Sequence, residues 1–526
     1  MSPGERTFLT SMEIEALQEV LGQVSEQIPP AASAEPSGTS GASEPVRNPD
    51  RPQLALAKVQ DNDIPKNLML CVDFGTSFSK AFATIDNGDD RPELIDLPIG
   101  EGSGSARLVT PSELIIDAGQ IFFGGRARQR LDETQQAADR LIDSIKQYVT
   151  LNQDVSVLGT ARLDQIQDPT QALSQRDILV LYLGYLMYVA ERALVTAGQT
   201  INAQRRFAHP AWPENTRQRN EDEMRRMMAE AVVLARSVKD GFEGGLSVID
   251  ARELLDKLKS LAADSLPLNL IREPVREATA AGAGALLSTA EGHREKYLIV
   301  DIGAGTTDVA GFHCVNNPNW DRSRVWEISG AAKARNMAGN VLDNAFQKFV
   351  LGKSSLTEGS EEYRQAGLAV RRSRRLLKEQ LFREGSVIVL LPTDETVPVD
   401  LDEFLEYGPV VSFTNAIVAM VAEAADLVQG NDVSSIRLVA TGGGATLPVI
   451  TKIAEHGVDV GGRHIGFELS DAIAEGVRET NPDLVEAYSQ IAVALGGALP
   501  NLPEQRANVR GAINAPPPRV IQTTYR

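Results

Sequence analysis

Apolar residues recur along this chain in two rhythms, and the places where one gives way to the other carry most of its organisation. Near the start, Ile14, Leu17, Leu21, Val24 and Ile28 are spaced by three and four, the period of one helical stripe. Thr10 precedes the stripe with Glu13 three residues on, a capping-box pattern that satisfies free amide hydrogens where a helix begins. Pro29-Pro30 stops it. Residues 1–30 therefore read as an amphipathic helix, with 11–28 at its centre. From 31 to 66 the composition turns to Pro, Ala, Ser, Gly and charge, which buries too little apolar surface to order a chain. A disordered linker is expected there.

From about Asn67 to Pro500 short apolar runs alternate with longer segments of helical spacing. Leu68–Val72, Phe82–Ile85, Leu114–Ile116 and Ile121–Phe123 read as strands, and Ile178–Leu194 as the clearest helix. Glu214–Lys259 is charged with helical spacing and a Gly-rich break at Gly241–Gly245. Strands resume at Tyr297–Val300, Val309–Phe312, Val387–Leu391 and Ile436–Ala440. This alternation predicts an α/β fold in which helices cover sheets. The tail, 501–526, has no periodicity and is expected to be disordered.

Composition narrows the functional classes. A net charge of -19 argues against a nucleic-acid partner, since phosphate backbones are met by clustered Lys and Arg. The two cysteines, Cys71 and Cys314, lie far apart in apolar runs and read as buried hydrophobes, not as a disulfide or metal pair. The five histidines are not grouped, so zinc has no support. The N-terminus lacks a signal-peptide core, and the longest apolar run, Ile178–Ala190, includes three tyrosines and a glycine, as a buried helix would. A cytoplasmic protein without a membrane span is expected.

Three glycine-rich turns carry candidate chemistry. In the first, the strand Leu68–Val72 runs into Asp73-Phe74-Gly75-Thr76-Ser77-Phe78-Ser79-Lys80. In the second, about 230 residues later, Tyr297–Val300 runs into Asp301-Ile302-Gly303-Ala304-Gly305-Thr306-Thr307-Asp308. Each turn can aim amide hydrogens and hydroxyls at phosphate oxygens, with glycine admitting close approach. Each strand-end Asp can hold a hydrated Mg²⁺, which keeps several waters and takes few carboxylates. One such turn is common in plain hairpins; two at domain-sized separation imply a duplicated lobe around one ligand. In the third, Ile436–Ala440 is followed by Thr441-Gly442-Gly443-Gly444-Ala445-Thr446 and a helix start at Pro448. Three glycines leave a flat surface for an adenosine.

These units, in this order, resemble the two phosphate motifs and the adenosine motif of the actin, hexokinase and heat-shock-chaperone ATPase superfamily. Glu273-Pro274-Val275-Arg276-Glu277-Ala278-Thr279-Ala280 resembles its first connecting helix, and Ala492–Ala498 its second, where small residues let two helices cross closely. The resemblance implies an actin-like ATPase fold: two lobes, each built on a duplicated ribonuclease-H-like sheet-and-helix unit, around a nucleotide cleft. Lobe I would cover 67–290, with an inserted helical segment at about 237–266, and lobe II would cover 291–500.

Thr110-Pro111-Ser112-Glu113, Phe123-Gly124-Gly125-Arg126-Ala127 and His209-Pro210-Ala211-Trp212 are similar to segments of DnaK-type chaperones. Lys146 falls where those chaperones keep a catalytic lysine. Gly339-Asn340-Val341-Leu342-Asp343 and the basic helix Arg371–Leu381, with Lys378, resemble their adenine-side elements. Thr441–Gly444, Thr306-Thr307-Asp308 and Lys80 look closer to MreB, FtsA and actins. Ala445 and Thr446 depart from the chaperone adenosine turn, and Arg375 stands where its adenine helix usually has Glu. No counterpart of a chaperone's peptide-binding domain is expected after Pro500.

The resemblance implies an ATPase binding ATP/ADP and Mg²⁺. Asp73 and Asp301 would hold the metal through water. Gly75, Thr76, Ser77, Lys80, Gly303, Gly305, Thr306, Thr307, Gly339, Lys378, Gly442, Gly443 and Gly444 would contact nucleotide. Lys146, Glu273, Asp308 and Asp73 are the catalytic candidates, because γ-phosphate hydrolysis needs charge neutralisation and an oriented water. The leading expectation is a DnaK-like, nucleotide-driven switch acting on a protein partner, reached through the N-terminal helix 11–28, the 237–266 segment, the C-terminal tail or a separate subunit. The alternative is a filament-forming MreB/FtsA-type scaffold ATPase. A small-molecule kinase and a binding-only pseudo-enzyme are further alternatives. The kinase lacks an acceptor motif here.

Overall fold

The computed structural model describes residues 53–56, 59–88, 91–134, 138–152, 154–286, 294–316, 324–430, 435–473 and 477–503. The expected N-terminal helix and nearly all of the expected C-terminal tail lie outside the described residues. The last stretch of the expected linker differs from the expectation. Leu54 and Val59 pack on the first core, Ile64 is buried, and the Ala55 amide donates to Ser237 Oγ at 2.9 Å. Three apolar anchors in eleven residues hold this stretch to the protein.

The first half carries β1 (Leu68–Asp73), β2 (Phe78–Ile85), β3 (Glu93–Asp96), β4 (Val109–Pro111), β5 (Leu114–Asp117), β6 (Gln120–Phe123), β7 (Gln204–His209), β8 (Leu246–Ser247) and β9 (Val275–Arg276). Its helices include α1 (Gln175–Thr196), α2 (Glu214–Val238), α3 (Val248–Lys259) and α4 (Glu277–Leu286). The second half carries β10 (Arg294–Ile302), β11 (Thr307–Val315), β12 (Arg324–Glu327), β13 (Lys333–Arg335), β14 (Ser386–Leu390), β15 (Thr396–Asp400), β16 (Ile436–Thr441), β17 (Val458–Val460), β18 (Arg463–Ile465) and β19 (Phe467–Ser470). With them come α5 (Gly339–Lys353), α6 (Glu361–Glu384), α7 (Gly408–Gln429), α8 (Pro448–His456) and α9 (Tyr488–Ala498).

The two main sheets share one plan. Their orders are β3-β2-β1-β7-β9, with β4 beside β2, and β12-β11-β10-β16-β19, with β13 beside β11. In each, an antiparallel hairpin (β1/β2, β10/β11) is flanked by an antiparallel third strand; the hairpin's first strand pairs in parallel with a fourth (β7, β16), which pairs in parallel with a fifth (β9, β19). The fold is α/β, as the alternation in the sequence predicts. Every residue of β1 is buried, which is why it reads as one unbroken apolar run.

Strand alternation assigns the two faces of each sheet. Leu70 and Val72 of β1, with Ala81 and Ala83 of β2, face the first half's own core; Leu298, Val300 and Ile302 of β10, with Val309 of β11, face the second half's. The intervening residues, Cys71, Phe82, Tyr297, Ile299, Ala310, Phe312 and Cys314, turn into a third core shared by both halves. Helices α4 and α9 fill this shared layer, and both cysteines are buried there as free thiols.

Small residues allow the layer to be thin. A side chain at Gly496 of α9 would begin 1.9 Å from the Ala280 carbonyl oxygen of α4, and one at Gly497 would begin 2.4 Å from Cys71 Sγ. Gly282 of α4 similarly lies under Ile299, where a Cβ would meet Ile299 side-chain atoms at 2.6 Å. The two helices thus touch backbone to backbone between the sheets.

Two details differ from the sequence expectation. The helix expected at Glu273-Pro274 begins at Glu277, because Val275–Arg276 pairs with β7 as the edge strand β9. The 237–266 segment is not wholly helical, because β8 joins β6 before α3 starts. Helices α1 and α7 are long and apolar enough to cross a membrane by length and composition; most of α1 is buried inside the first half. Its start is fixed by a reciprocal Ser174–Asp177 capping box.

Gly496→Val should be among the most damaging single changes, because the contact it breaks is with backbone. Denaturant unfolding should show a loss of at least about 1–3 kcal/mol, the scale of an overpacked core. Gly352→Ala, on α5 with open space around it, should instead be neutral or stabilise by about 0.5–1 kcal/mol.

Candidate active site

The alternation that builds the shared layer also aims four charged residues into one place. Asp73 follows Cys71 on the inner face of β1, and Lys80 precedes Phe82 on the inner face of β2; the two are cross-strand partners, with Lys80 Nζ 3.1 Å from Asp73 Oδ2. In the second half Asp301 follows Ile299 and Asp308 precedes Ala310, and these are again cross-strand partners. The hairpins are equally long, so the duplication places Asp73 opposite Asp301 in role, and Lys80 opposite Asp308. Asp73, Asp301 and Asp308 are buried.

The turns themselves meet. A Cβ on Gly305 would lie 2.2 Å from Thr76 Oγ1, so the second turn rests directly on the first. Gly75 is required by its own turn, where a Cβ would come 2.0 Å from the Phe78 carbonyl oxygen. Gly303 closes the second turn by donating its amide to the Thr306 carbonyl at 2.9 Å, while Thr307 Oγ1 donates to the Met337 carbonyl. Gly339, at the start of α5, donates its amide to the Gly303 carbonyl at 3.0 Å.

The third turn joins through β16. Thr441 is the cross-strand partner of Asp301 and donates its hydroxyl to Asp301 Oδ1 at 3.1 Å. Gly442 has φ +77°, and a Cβ there would strike Asp301 Oδ1 and the Ile302 carbonyl. Gly444 donates its amide to that same carbonyl, and Gly443 faces open space. The second and third turns therefore meet at Asp301, and the first rests on the second at Gly305.

Lys146 and Glu277 complete the group. Lys146 immediately precedes the short helix Gln147–Leu151, and its buried ammonium lies 2.6 Å from Glu277 Oε2. Glu277 is the first residue of α4, where the helix dipole favours a carboxylate. Burial alone would depress the Lys146 ammonium, but the charges of Glu277, Asp73 and Asp308 outweigh it and hold the group above its ordinary range. Burial lifts Glu277 to about 6 against the pull of Lys146. Asp308 is pushed well above the usual carboxylate range, first by burial and then by Glu277, and Asp301 is raised by burial and by Asp73. Two carboxylate oxygens, Glu277 Oε1 and Asp308 Oδ2, are buried without a hydrogen-bond partner.

No family model matches this chain. No curated protein matches it in sequence either.

Of the sequence candidates, Asp73, Lys80, Lys146, Asp301 and Asp308 come together with the three glycine turns. Glu273 does not join them: its side chain is 86% exposed and its nearest cation is Arg272 at 3.9 Å. The acid in the cluster is Glu277, four residues on. Its signal was present in the sequence as an acid opening a run of small residues, Ala278–Ala281, that fits only a tightly packed helix. Lys378, on α6, is paired with Asp343 Oδ1 at 2.5 Å. Thr441 and the Ala211 amide, which lies 3.5 Å from Asp308 Oδ1, join the cluster through non-local packing that leaves no signal in the sequence.

Four carboxyl groups face two ammonium groups in a site lined by glycine-rich turns. Among the described residues no three His, Cys, Asp or Glu side chains are grouped to bind a metal directly. Asp73 and Asp301, with the unpartnered oxygens of Glu277 and Asp308, suit a cation held through its water shell.

Burial raises the pKa of the Glu277 carboxyl on folding. Folding favours its protonated form, so the stability it contributes is complete below about pH 4.5 and is lost as pH rises through about 6. Unfolding free energies measured across that window should fall for the native protein relative to Glu277→Gln, by about 2 kcal/mol. Parallel pH profiles would contradict the assignment.

Proposed function

We propose that this chain is a Mg²⁺-dependent ATPase of the actin-like fold, DnaK-like in its ATPase elements, acting as a nucleotide-driven conformational switch on a protein partner. The observation that carries this reading is the meeting of two duplicated hairpin turns, Asp73–Lys80 and Asp301–Asp308, around Lys146 and Glu277. Two six-stranded sheets of the same plan, joined through a thin layer of crossing helices, support the two ribonuclease-H-like units that the sequence resemblance implies.

In this reading the amides of Gly75–Ser77 and Ala304–Thr306 and the hydroxyls of Thr76 and Ser77 hold the phosphates, the Gly303 amide and Thr307 hydroxyl shape the second turn through their own carbonyl partners, and Gly442–Gly444 offers the flat face for adenosine. Asp73 and Asp301 hold the hydrated Mg²⁺, which supplies charge neutralisation at the phosphates. Lys146 offsets charge on the transferred phosphoryl group and Lys80 adds to it from the facing strand. Glu277, rather than Glu273, orients and accepts the proton of the attacking water: it is buried, burial lifts its pKa to about 6, and one of its oxygens is uncommitted. Asp308 holds that water from the other side. A ligand touching both halves closes them by its differential affinity, and exchange of ATP for ADP changes that closure.

The filament-forming scaffold is the second reading, and Lys80 is the observation that favours it. Its ammonium is engaged by Asp73 beside the turns, as expected of an actin- or MreB-type phosphate-contacting lysine. ATP-dependent light scattering that rises with protein concentration would support that reading over the switch.

ATP turnover without an added acceptor tests the main proposal. Asp73→Asn, Asp301→Asn, Lys146→Ala and Glu277→Gln should each lower kcat by about 100-fold or more, while Glu273→Gln stays within about twofold of the native rate. Native-like turnover in Glu277→Gln would remove its assigned role. Absence of Mg²⁺-dependent nucleotide binding would remove the reading as a whole.

A further inference from the structure

The two halves also meet away from the acidic cluster. The guanidinium of Arg375, on α6 of the second half, lies over the ring of Phe78 in the first half, 4.4 Å from its centroid. Phe78 is the first residue of β2 and directly follows Ser77, so this contact lands on the end of the first turn. Glu379, one helical turn on from Arg375, accepts from its Nε at 3.0 Å and fixes the guanidinium plane. The same helix lies along the first half at a second point: Asp143 acts on Arg374, and Arg375 is among the charges acting on buried Glu113, whose direct partner is Arg128.

A guanidinium over an aromatic face is attracted by the ring quadrupole, and the attraction depends on both partners. Arg375 and Phe78 are both half-buried, and neither side chain belongs to the apolar core of its own half. The energy of the stack therefore depends almost wholly on whether the two halves are together. Opening the cleft by a few ångströms breaks it, whereas unfolding either half is not required.

We propose that the Arg375–Phe78 stack is a positioning pair that holds α6 closed over the first turn and so sets how long a nucleotide stays bound. This rests on the nucleotide reading given above and extends it. Arg375 acts through Phe78 and the closed geometry, not by touching the reacting phosphate. The pair ties the adenine-side helix of one half to the phosphate turn of the other, so nucleotide residence and closure share one contact.

Two measurements on the full chain test this. The first reads closure without nucleotide: spin labels at Gln129→Cys and Thr393→Cys, exposed positions on opposite halves, report the inter-half distance, since the two native cysteines are buried. Arg375→Ala and Phe78→Leu should each shift the distribution toward longer distances, with an unchanged melting temperature. Arg375→Lys, which keeps the charge but not the planar face, should rescue only in part.

The second follows release of a fluorescent N-methylanthraniloyl ATP in the presence of Mg²⁺. Each single variant should speed release by about twofold to fivefold, the double variant no more than either single, and single-turnover hydrolysis should change less than release. Unchanged distances in Arg375→Ala, or release effects that add in the double variant, would overturn the proposal. If the native protein binds no nucleotide, the nucleotide reading fails and release has no meaning, while the label distances still decide whether the stack holds the halves closed.

Discussion

The thickness of the layer between the two sheets is the constraint on which everything else depends. Helices α4 and α9 cross there with backbone against backbone, because Gly496 leaves no room between α9 and the Ala280 carbonyl. Were that layer one side chain thicker, the inner ends of β1 and β10 would separate by several ångströms, and Thr76 could not rest on Gly305. Buried apolar strands supply the rigidity; small helical residues supply the distance. The charged cluster is the end of this layer, the point where the apolar alternation of Cys71 and Phe82, and of Ile299 and Ala310, continues by one step into Asp73, Lys80, Asp301 and Asp308.

That continuation explains the electrostatics. Asp301 and Asp308 are carried inward by strands and Glu277 by the start of α4, and burial raises the pKa of all three. One buried lysine, Lys146, is shared among three carboxylates and cannot neutralise the set. Two oxygens remain unpartnered, on Glu277 and Asp308. Such a site is costly to a folded protein unless a cation, phosphates and ordered water complete it, which is the physical case for a polyanion–metal ligand in place of a purely structural salt-bridge network.

The fold class and the three turns were legible in the sequence because both rest on local patterns: unbroken apolar runs for central strands, and glycines placed directly after them. The duplicated sheet order could not be read that way, since strand pairing is non-local. The choice between Glu273 and Glu277 shows where the local pattern misleads. Glu-Pro resembles the start of the connecting helix, but the two residues after it are taken by the sheet edge at β9, which moves the helix start, and the buried acid, four places on. Thr441 was visible as part of a turn, yet its bond to Asp301 follows only from the register of β10 with β16. Arg375 was noticed as a departure from a resemblance; its ring partner lies about 300 positions earlier in the chain and becomes visible only when both halves are in place.

In the proposed function, three turns from two halves form one nucleotide site. Amide hydrogen exchange, compared with and without Mg²⁺ and ATP, tests it most directly. Residues 74–79, 302–307 and 442–446 should gain protection together and at the same nucleotide concentration. Protection confined to one turn, or none in any of them at saturating nucleotide, would contradict it.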